Sequence, residues 1–333
     1  MRVLIAAIVI AAAGWSGYWW IGASTVENGM TDWFSERQLE GWVAEYDSLE
    51  THGFPNRFDT TLKGVMLADP DTGLAWKAPF FQILALSYQP GHIIAAWAPE
   101  QTIQTPFETV TVSNEVMRGS VVFAPTKAFA LQRMNTEIAD LRLSSDRGWS
   151  AAINNGQIAI RATAARENAY DLYVEGLGVK PASDVLNKID PLKKLPDAFE
   201  TLRADITIGF DAPWDRHAIE DARPQPTSVD FKTVQATWGD LDLRFAGHLE
   251  VDVTGVPEGE VTVKAKNWRD MIALAVDSNM IGEDLARTIE NGLSLVAGMS
   301  GNSQTLDVLV TFKNGGMFLG FVPLGPTPTL RLR

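Results

Sequence analysis

The stretch LDLRFAGHLEVDVTGVPEGEVTVKA, residues 241–265, decides the fold. Leu241, Leu243, Phe245, Leu249, Val251 and Val253 fall on odd positions, and Asp242, Arg244, His248, Glu250 and Asp252 on even ones. Successive side chains of a strand point to opposite faces, so the alternation predicts a ribbon with one buried side and one wet side. It resumes after Pro257-Glu258-Gly259, taken as the turn, with Val261, Val263 and Ala265 opposed to Thr262, Lys264 and Lys266.

Towards the C-terminus the period changes from two to that of a helix. Asn267 is placed as an N-cap, with Asp270 in the first turn and Met271, Ile272, Ala275 and Val276 following. A second helix carries Leu285, Ile289, Leu293 and Val296, and the sheet is the natural surface for both to cover. Strands are expected again at 305–312 and 316–321, before Pro323, Pro326 and Pro328 stiffen the exit.

Towards the N-terminus, strands are expected at 203–210 and 229–237, with a polar loop at 214–226 between them. Residues 181–203 carry Ser183, Pro191, Lys193, Lys194 and Pro196, which predicts a short helix or two and a sub-boundary within the domain. From Phe58 to Leu177 turn signals recur at the spacing of an antiparallel meander, among them Pro90-Gly91 and Asn155-Gly156. Asn155-Gly156 is read as a tight hairpin. Two pieces, 80–86 and 93–97, are apolar on both parities, so both faces of those strands are covered. Either helices and more protein cover them, or they line a concave surface for an apolar ligand. On the second reading Phe80, Phe81, Ile83, Leu84, Leu86, Ile93, Ile94 and Trp97 are the lining.

The N-terminus supplies the address. Arg2 precedes an uncharged run from Val3 to Ala23, about 31 Å long as a helix at about 1.5 Å per residue. Ile21-Gly22-Ala23 is a poor cleavage site, so residues 1–24 are read as an uncleaved signal anchor rather than a signal peptide or a buried helix. Arg2 stays on the cytoplasmic side, while Trp15, Tyr18, Trp19 and Trp20 form an aromatic belt at the far interface. This predicts a bacterial inner-membrane protein with most of its chain in the periplasm. Trp33, Leu39, Trp42, Val43, Tyr46 and Leu49 lie at helical spacing, so 25–53 is read as an amphipathic connecting helix and 54–333 as the β-rich domain. Deleting residues 1–24 is then expected to release a soluble domain.

Composition removes several classes of function. The chain has 28 Lys plus Arg against 41 Asp plus Glu, a formal charge of -13, which repels phosphate backbones; nucleic acid is not an expected partner. No cysteine is present, which excludes thiol catalysis, disulfides and cysteine-ligated metals. His52, His92, His217 and His248 lack metal-ligand spacing, and no phosphate-binding loop occurs, so neither metal nor cofactor is expected. Gly298-Met299-Ser300-Gly301 lacks the spacing of a nucleophile elbow, and Asp69-Pro70-Asp71-Thr72-Gly73 departs from a calcium loop; both are read as turns. Asp215, Glu220 and Asp221 form an acidic loop that fits a solvated surface better than an acid–base pair. No catalytic residue is assigned.

Gly53-Phe54-Pro55-Asn56-Arg57, just after the anchor, with Asp71-Thr72-Gly73 and Trp76-Lys77-Ala78-Pro79, resembles an alphaproteobacterial envelope family catalogued as domain of unknown function 2125. The likeness covers about residues 30–330 and transfers no catalytic residue. Gly247-His248-Leu249-Glu250-Val251 and Gly259-Glu260-Val261-Thr262-Val263, ahead of a short helix, resemble AsmA-type anchored envelope proteins. That likeness implies work on lipid movement between membranes.

The fold expected is therefore mostly β, of the α+β class: an N-terminal transmembrane helix, then a long curved antiparallel sheet wrapped around a few helices. The function expected is a non-enzymatic, membrane-anchored protein that binds or carries lipid or another apolar ligand for envelope maintenance. An anchored scaffold for other envelope proteins, without a ligand cavity, is the alternative. A hydrolase would need carboxylates converging in a cleft.

Overall fold

The ribbon at 241–265 forms the hairpin that its alternation predicts, within a computed structural model that describes residues 1–299, 304–320 and 322–332. Its strands belong to a large antiparallel sheet of eighteen strands. The chain divides into two compact units, residues 1–123 with 136–148 and residues 124–135 with 149–333. This division does not follow the expected sub-boundary near 181–203, where the chain forms one short helix beside a continuing sheet.

In the first unit helix α1 (Arg2–Leu39) leads into β1 (Val43–Glu45), β2 (Ser48–His52), β3 (Arg57–Asp69), β4 (Leu74–Leu86) and β5 (Gln89–Trp97). Then come β6 (Glu100–Gln104), β7 (Thr109–Ser113), β8 (Val116–Phe123) and the later part of β9 (Leu131–Ser145). Strand β3 pairs with β1, β2 and β4; β4 also pairs with β5 and β6, and β5 with β8. The core here is Phe34, Ala44, Leu62 and Val65, with Met30, Tyr46, Leu49 and Phe81 packed around it.

The amphipathic helix expected at 25–53 is corrected. One continuous helix, α1, ends at Leu39, and residues 43–45 and 48–52 are strands. Gly41, at φ +91, is the cause. Its N–H bonds the Gln38 carbonyl at 3.0 Å and the Trp42 N–H bonds the Arg37 carbonyl at 3.0 Å, the paired bonds of a Schellman stop. The apolar stripe beyond it reaches the same core from other elements, Tyr46 from the β1–β2 connection and Leu49 from β2.

In the second unit the early part of β9 is followed by β10 (Ser150–Ala162), β11 (Ala169–Lys180), α2 (Ser183–Ile189), β12 (Phe199–Phe210), α3 (His217–Glu220) and β13 (Pro226–Trp238). After β14 (Leu241–Val251) and β15 (Pro257–Lys266) come α4 (Trp268–Asp277), α5 (Glu283–Met299), β16 (Thr305–Lys313), β17 (Gly316–Leu319) and β18 (Val322–Pro326). From β10 to β18 each strand pairs with the next, an uninterrupted antiparallel meander. Helices α4 and α5 close over one end of it, burying Trp268, Leu293 and Ala297 against Ala265, Leu306 and Val308.

Three local expectations fail here for stated reasons. Asn155-Gly156 is not a turn: β10 runs straight through it, with Asn155 opposite Leu177 and Gly156 opposite Gly176, because a long partner strand outweighs a two-residue preference. The turn of the ribbon lies at 252–256 rather than 257–259. The Asp252 carboxylate accepts the N–H of Thr254 at 2.8 Å and of Val256 at 2.9 Å, and Gly255 takes φ +86. Val253 is accordingly 96% exposed instead of lying on the buried side. Asn267 takes the N-cap position of α4, as expected, at φ 57, but its side chain makes no capping bond; its amide donates to the Asp240 carbonyl at 2.8 Å. The Gly298–Gly301 segment reaches outside the described residues.

Candidate functional site

Three surfaces bear on function: the apolar strip of β4 and β5, the seat of α1, and the two faces of the second unit's meander. In the first, Phe81 lies opposite Trp97, Ile83 opposite Ala95, Leu84 opposite Ile94 and Ala85 opposite Ile93. Alternation therefore divides the eight expected lining residues. Phe81, Ile83, Ile93 and Trp97 share the face that α1 packs on, where the rings of Phe81 and Trp97 lie 5.4 Å apart. Phe80, Leu84, Leu86 and Ile94 share the reverse face, with Lys63, Asp59 and Arg57 as the cross-strand partners of the first three. All eight are half-buried, so neither face is sealed.

The second surface was not legible in the sequence. Trp15 Nε1 donates to the Pro55 carbonyl at 2.9 Å, Trp19 Nε1 to the Arg57 carbonyl at 2.7 Å, and the Tyr18 hydroxyl to the Ser87 carbonyl at 2.5 Å. Three residues expected to form a free aromatic belt thus clamp α1 to the Gly53–Arg57 loop and the β4–β5 turn. That turn falls at Ser87-Tyr88 rather than Pro90-Gly91, which lies within β5. Around the clamp the Trp19 ring meets Phe54 edge-on at 5.5 Å and lies 6.0 Å from Phe58. Gly22 lets Phe58 approach: a Cβ there would stand 2.5 Å from the ring. Gly53, at φ +103, opens the loop and accepts the N–H of Arg57 at 2.9 Å. The Gly-Phe-Pro-x-Arg motif is therefore the collar that holds the helix. Further along α1, Glu27 accepts the Thr51 N–H at 2.7 Å, and Phe34 is 4% exposed.

The meander of the second unit has one apolar and one charged face. Cross-strand register aligns Ile160, Leu172, Ile206, Phe231, Val261 and Val310 in one row, and Ile158, Val174, Ala204, Val234, Phe245, Val263 and Val308 in the next. Val261 and Val308 are buried, and Val308, with Val263 beside it, packs in the core that α4 and α5 close. From β10 to β14 the same rows are half-buried, and Ile158 reaches 36% exposure.

On the charged face the side chains neutralise one another. Asp171 accepts Thr207 Oγ1 at 2.6 Å, Lys232 Nζ at 2.9 Å and Arg161 Nη2 at 3.2 Å, and these bonds, the threonine's foremost, lower its pKa to about 2. His248 Nδ1 meets Asp230 at 2.5 Å and Nε2 meets Glu250 at 3.0 Å, which holds the imidazole above its ordinary value. Arg203 pairs with Glu175, and Arg244 with Asp242. In the acidic loop Glu220 lies 3.8 Å from Arg216, Asp221 is 2.9 Å from His217, and Asp215 accepts the His217 N–H. The three carboxylates serve separate contacts rather than converging. Among the described residues no group of three or more His, Cys, Asp or Glu is placed to hold a metal ion.

Helix α1 is long and apolar enough to cross a membrane, and none of its apolar window is buried in the fold. No curated protein and no solved structure matches the chain. A family model does, over residues 19–328, a span that begins inside the clamped part of α1 and takes in the collar and both units. By that match the chain belongs to the family described as "Uncharacterized protein conserved in bacteria (DUF2125)".

Proposed function

We propose that this is a bacterial inner-membrane protein, anchored by α1 with its bulk in the periplasm, that binds or carries lipid or another apolar ligand without catalysing a reaction. The observation that carries the reading is the mismatch on the meander: two apolar rows, one continuous and one broken only at Gly247, extend from β10 to β16, and α4 and α5 bury only the far end. An apolar surface of that extent left in contact with water is costly, at about 25 cal/mol per Å², and is characteristic of a surface kept for a ligand or partner. The unsealed strip of β4 and β5 in the first unit has the same character. Arg2 before the apolar run supports the orientation, since basic residues are retained on the cytoplasmic side. What supports the non-catalytic reading is that the carboxylates of the 215–221 loop serve separate contacts, and that the charged groups of the meander are engaged with one another along its surface.

The test is phospholipid retained by the full-length protein after detergent exchange, measured by native mass spectrometry. Wild type is expected to keep lipid and the Ile158→Glu/Val174→Glu protein to lose most of it. Equal retention by both, or none in either, overturns the reading; a stable protein partner in place of lipid favours the scaffold alternative.

A further inference from the structure

The clamp between α1 and its collar has a geometric consequence for the bilayer. Ahead of the first clamped residue, Trp15, the uncharged segment runs only from Val3 to Gly14, about 18 Å of helix at about 1.5 Å per residue. A hydrocarbon core is about 30 Å thick, so a spanning helix must use its apolar residues as far as about Gly22. Those additional residues, 15–22, are the ones that hold Pro55, Arg57, Phe58 and Ser87. The collar cannot then stand clear of the membrane.

Two independent features of the collar suit it to that depth. Exposed aromatic and aliphatic side chains ring it, next to the exposed Pro55, Asn56 and Arg57: Phe54 is 55% exposed and Tyr88 63%, beside Trp20 at 69% and Ile21 at 61% on the helix. Many of its backbone polar groups are also paired internally, which suits a water-poor medium, where each unpaired group costs several kcal/mol. The Pro55 carbonyl accepts Trp15 and Ser87 Oγ, the Asn56 carbonyl accepts the Ser87 N–H, and the Gly53 carbonyl accepts the N–H groups of Asn56 and Arg57. The Arg57 guanidinium is matched by Asp59 at 3.0 Å.

We propose that the collar, Gly53–Phe58 with Ser87-Tyr88, is a membrane-inserting edge of the first unit, with the Phe54 and Tyr88 rings in contact with lipid beside the protein's own anchor. The inference rests on reading α1 as a bilayer anchor. The absence of cysteine makes the test direct, because a single introduced cysteine takes a spin label at one site. Full-length Phe54→Cys and Tyr88→Cys proteins would be labelled and reconstituted in vesicles of phosphatidylethanolamine and phosphatidylglycerol. Ile8→Cys on the anchor and Leu74→Cys, at the opposite end of β4, serve as references. Lipid-soluble oxygen and a water-soluble nickel chelate would report depth. Labels at 54 and 88 are expected to favour oxygen several-fold more than the label at 74. A lipid-immersed label at 8 with labels at 54 and 88 matching that at 74 overturns the inference alone. A water-exposed label at 8 overturns the anchor reading and the inference with it. Positions 54 and 88 are separate, exposed reporters, so a folding defect in one variant leaves the other to decide.

Discussion

His248 shows how a residue placed on the wet side of a strand can still be committed. Its ring bridges Asp230 on β13 and Glu250 on its own strand, and its raised pKa follows from those two carboxylates. A basic group whose pKa is raised on folding contributes stability that is fully present below its unfolded value and is lost as pH rises through the folded value. Thermal melts are therefore expected to show wild type losing stability as pH rises from about 6 to 8, and His248→Gln losing less over the same window. A slope unchanged by the substitution would show that the bridge carries no linkage. Asp171 has the opposite sign: its contribution is present above the ordinary carboxylate range and is lost as pH falls through about 2. At this scale the sequence told which face His248 occupies, because strand alternation is local. It did not tell that Asp230 stands opposite, because that depends on the register of β13 against β14.

The elements that were legible are those whose pattern is complete within one segment. The β14–β15 ribbon and the pairing of α4 and α5 with the sheet follow from alternation and helical spacing, which local burial enforces. The elements misread are those settled by one backbone device: Gly41 ending α1, and Asp252 drawing the turn back from Pro257-Glu258-Gly259. The collar was visible as a motif and opaque as a function, since its partners Trp15, Tyr18 and Trp19 lie on a different element. The later part of α1 belongs to the first unit's core as fully as any strand. Phe34 packs edge-on against Tyr46 at 4.9 Å and closes over Ala44, Leu62 and Val65. Phe34→Ala is expected to cost about 3–5 kcal/mol in denaturant unfolding, the range for a large aromatic removed from a packed site. A loss under about 1 kcal/mol would mean that this end of α1 is not packed as described.

For the whole chain, the spanning-length apolar run and the part of α1 clamped to the first unit overlap within one helix, at residues 15–22. Removing residues 2–13 takes away apolar helix that is exposed at every residue, and leaves Trp15, Tyr18 and Trp19 on their carbonyls. That truncation is expected to give a detergent-free protein that melts cooperatively. Removing residues 2–24 strips the clamp from Pro55, Arg57 and Ser87 and uncovers Phe58, so its product is expected to melt lower and aggregate. Equal melting temperatures for the two would show that the clamp is dispensable. The eighteen-strand sheet and the spanning-length helix were readable because each repeats one signal over many residues. The division into units was not, since strand β9 passes from one to the other without a composition break.

Helix α1 has no joint between the segment suited to the membrane and the segment packed in the first unit: Arg2 to Leu39 is one rod, bolted at the collar. A protein on a flexible stalk can swivel to meet whatever drifts past. With α1 as the proposed anchor, this unit is stepped like a mast, so every lean of the rod tips the unit with it. On the anchor reading, whatever it meets must come to it at a fixed height and attitude, and lengthening the rod by one full turn ahead of Trp15 would lift the unit by about 5.4 Å without turning it, whereas adding a single residue would turn it by about 100°.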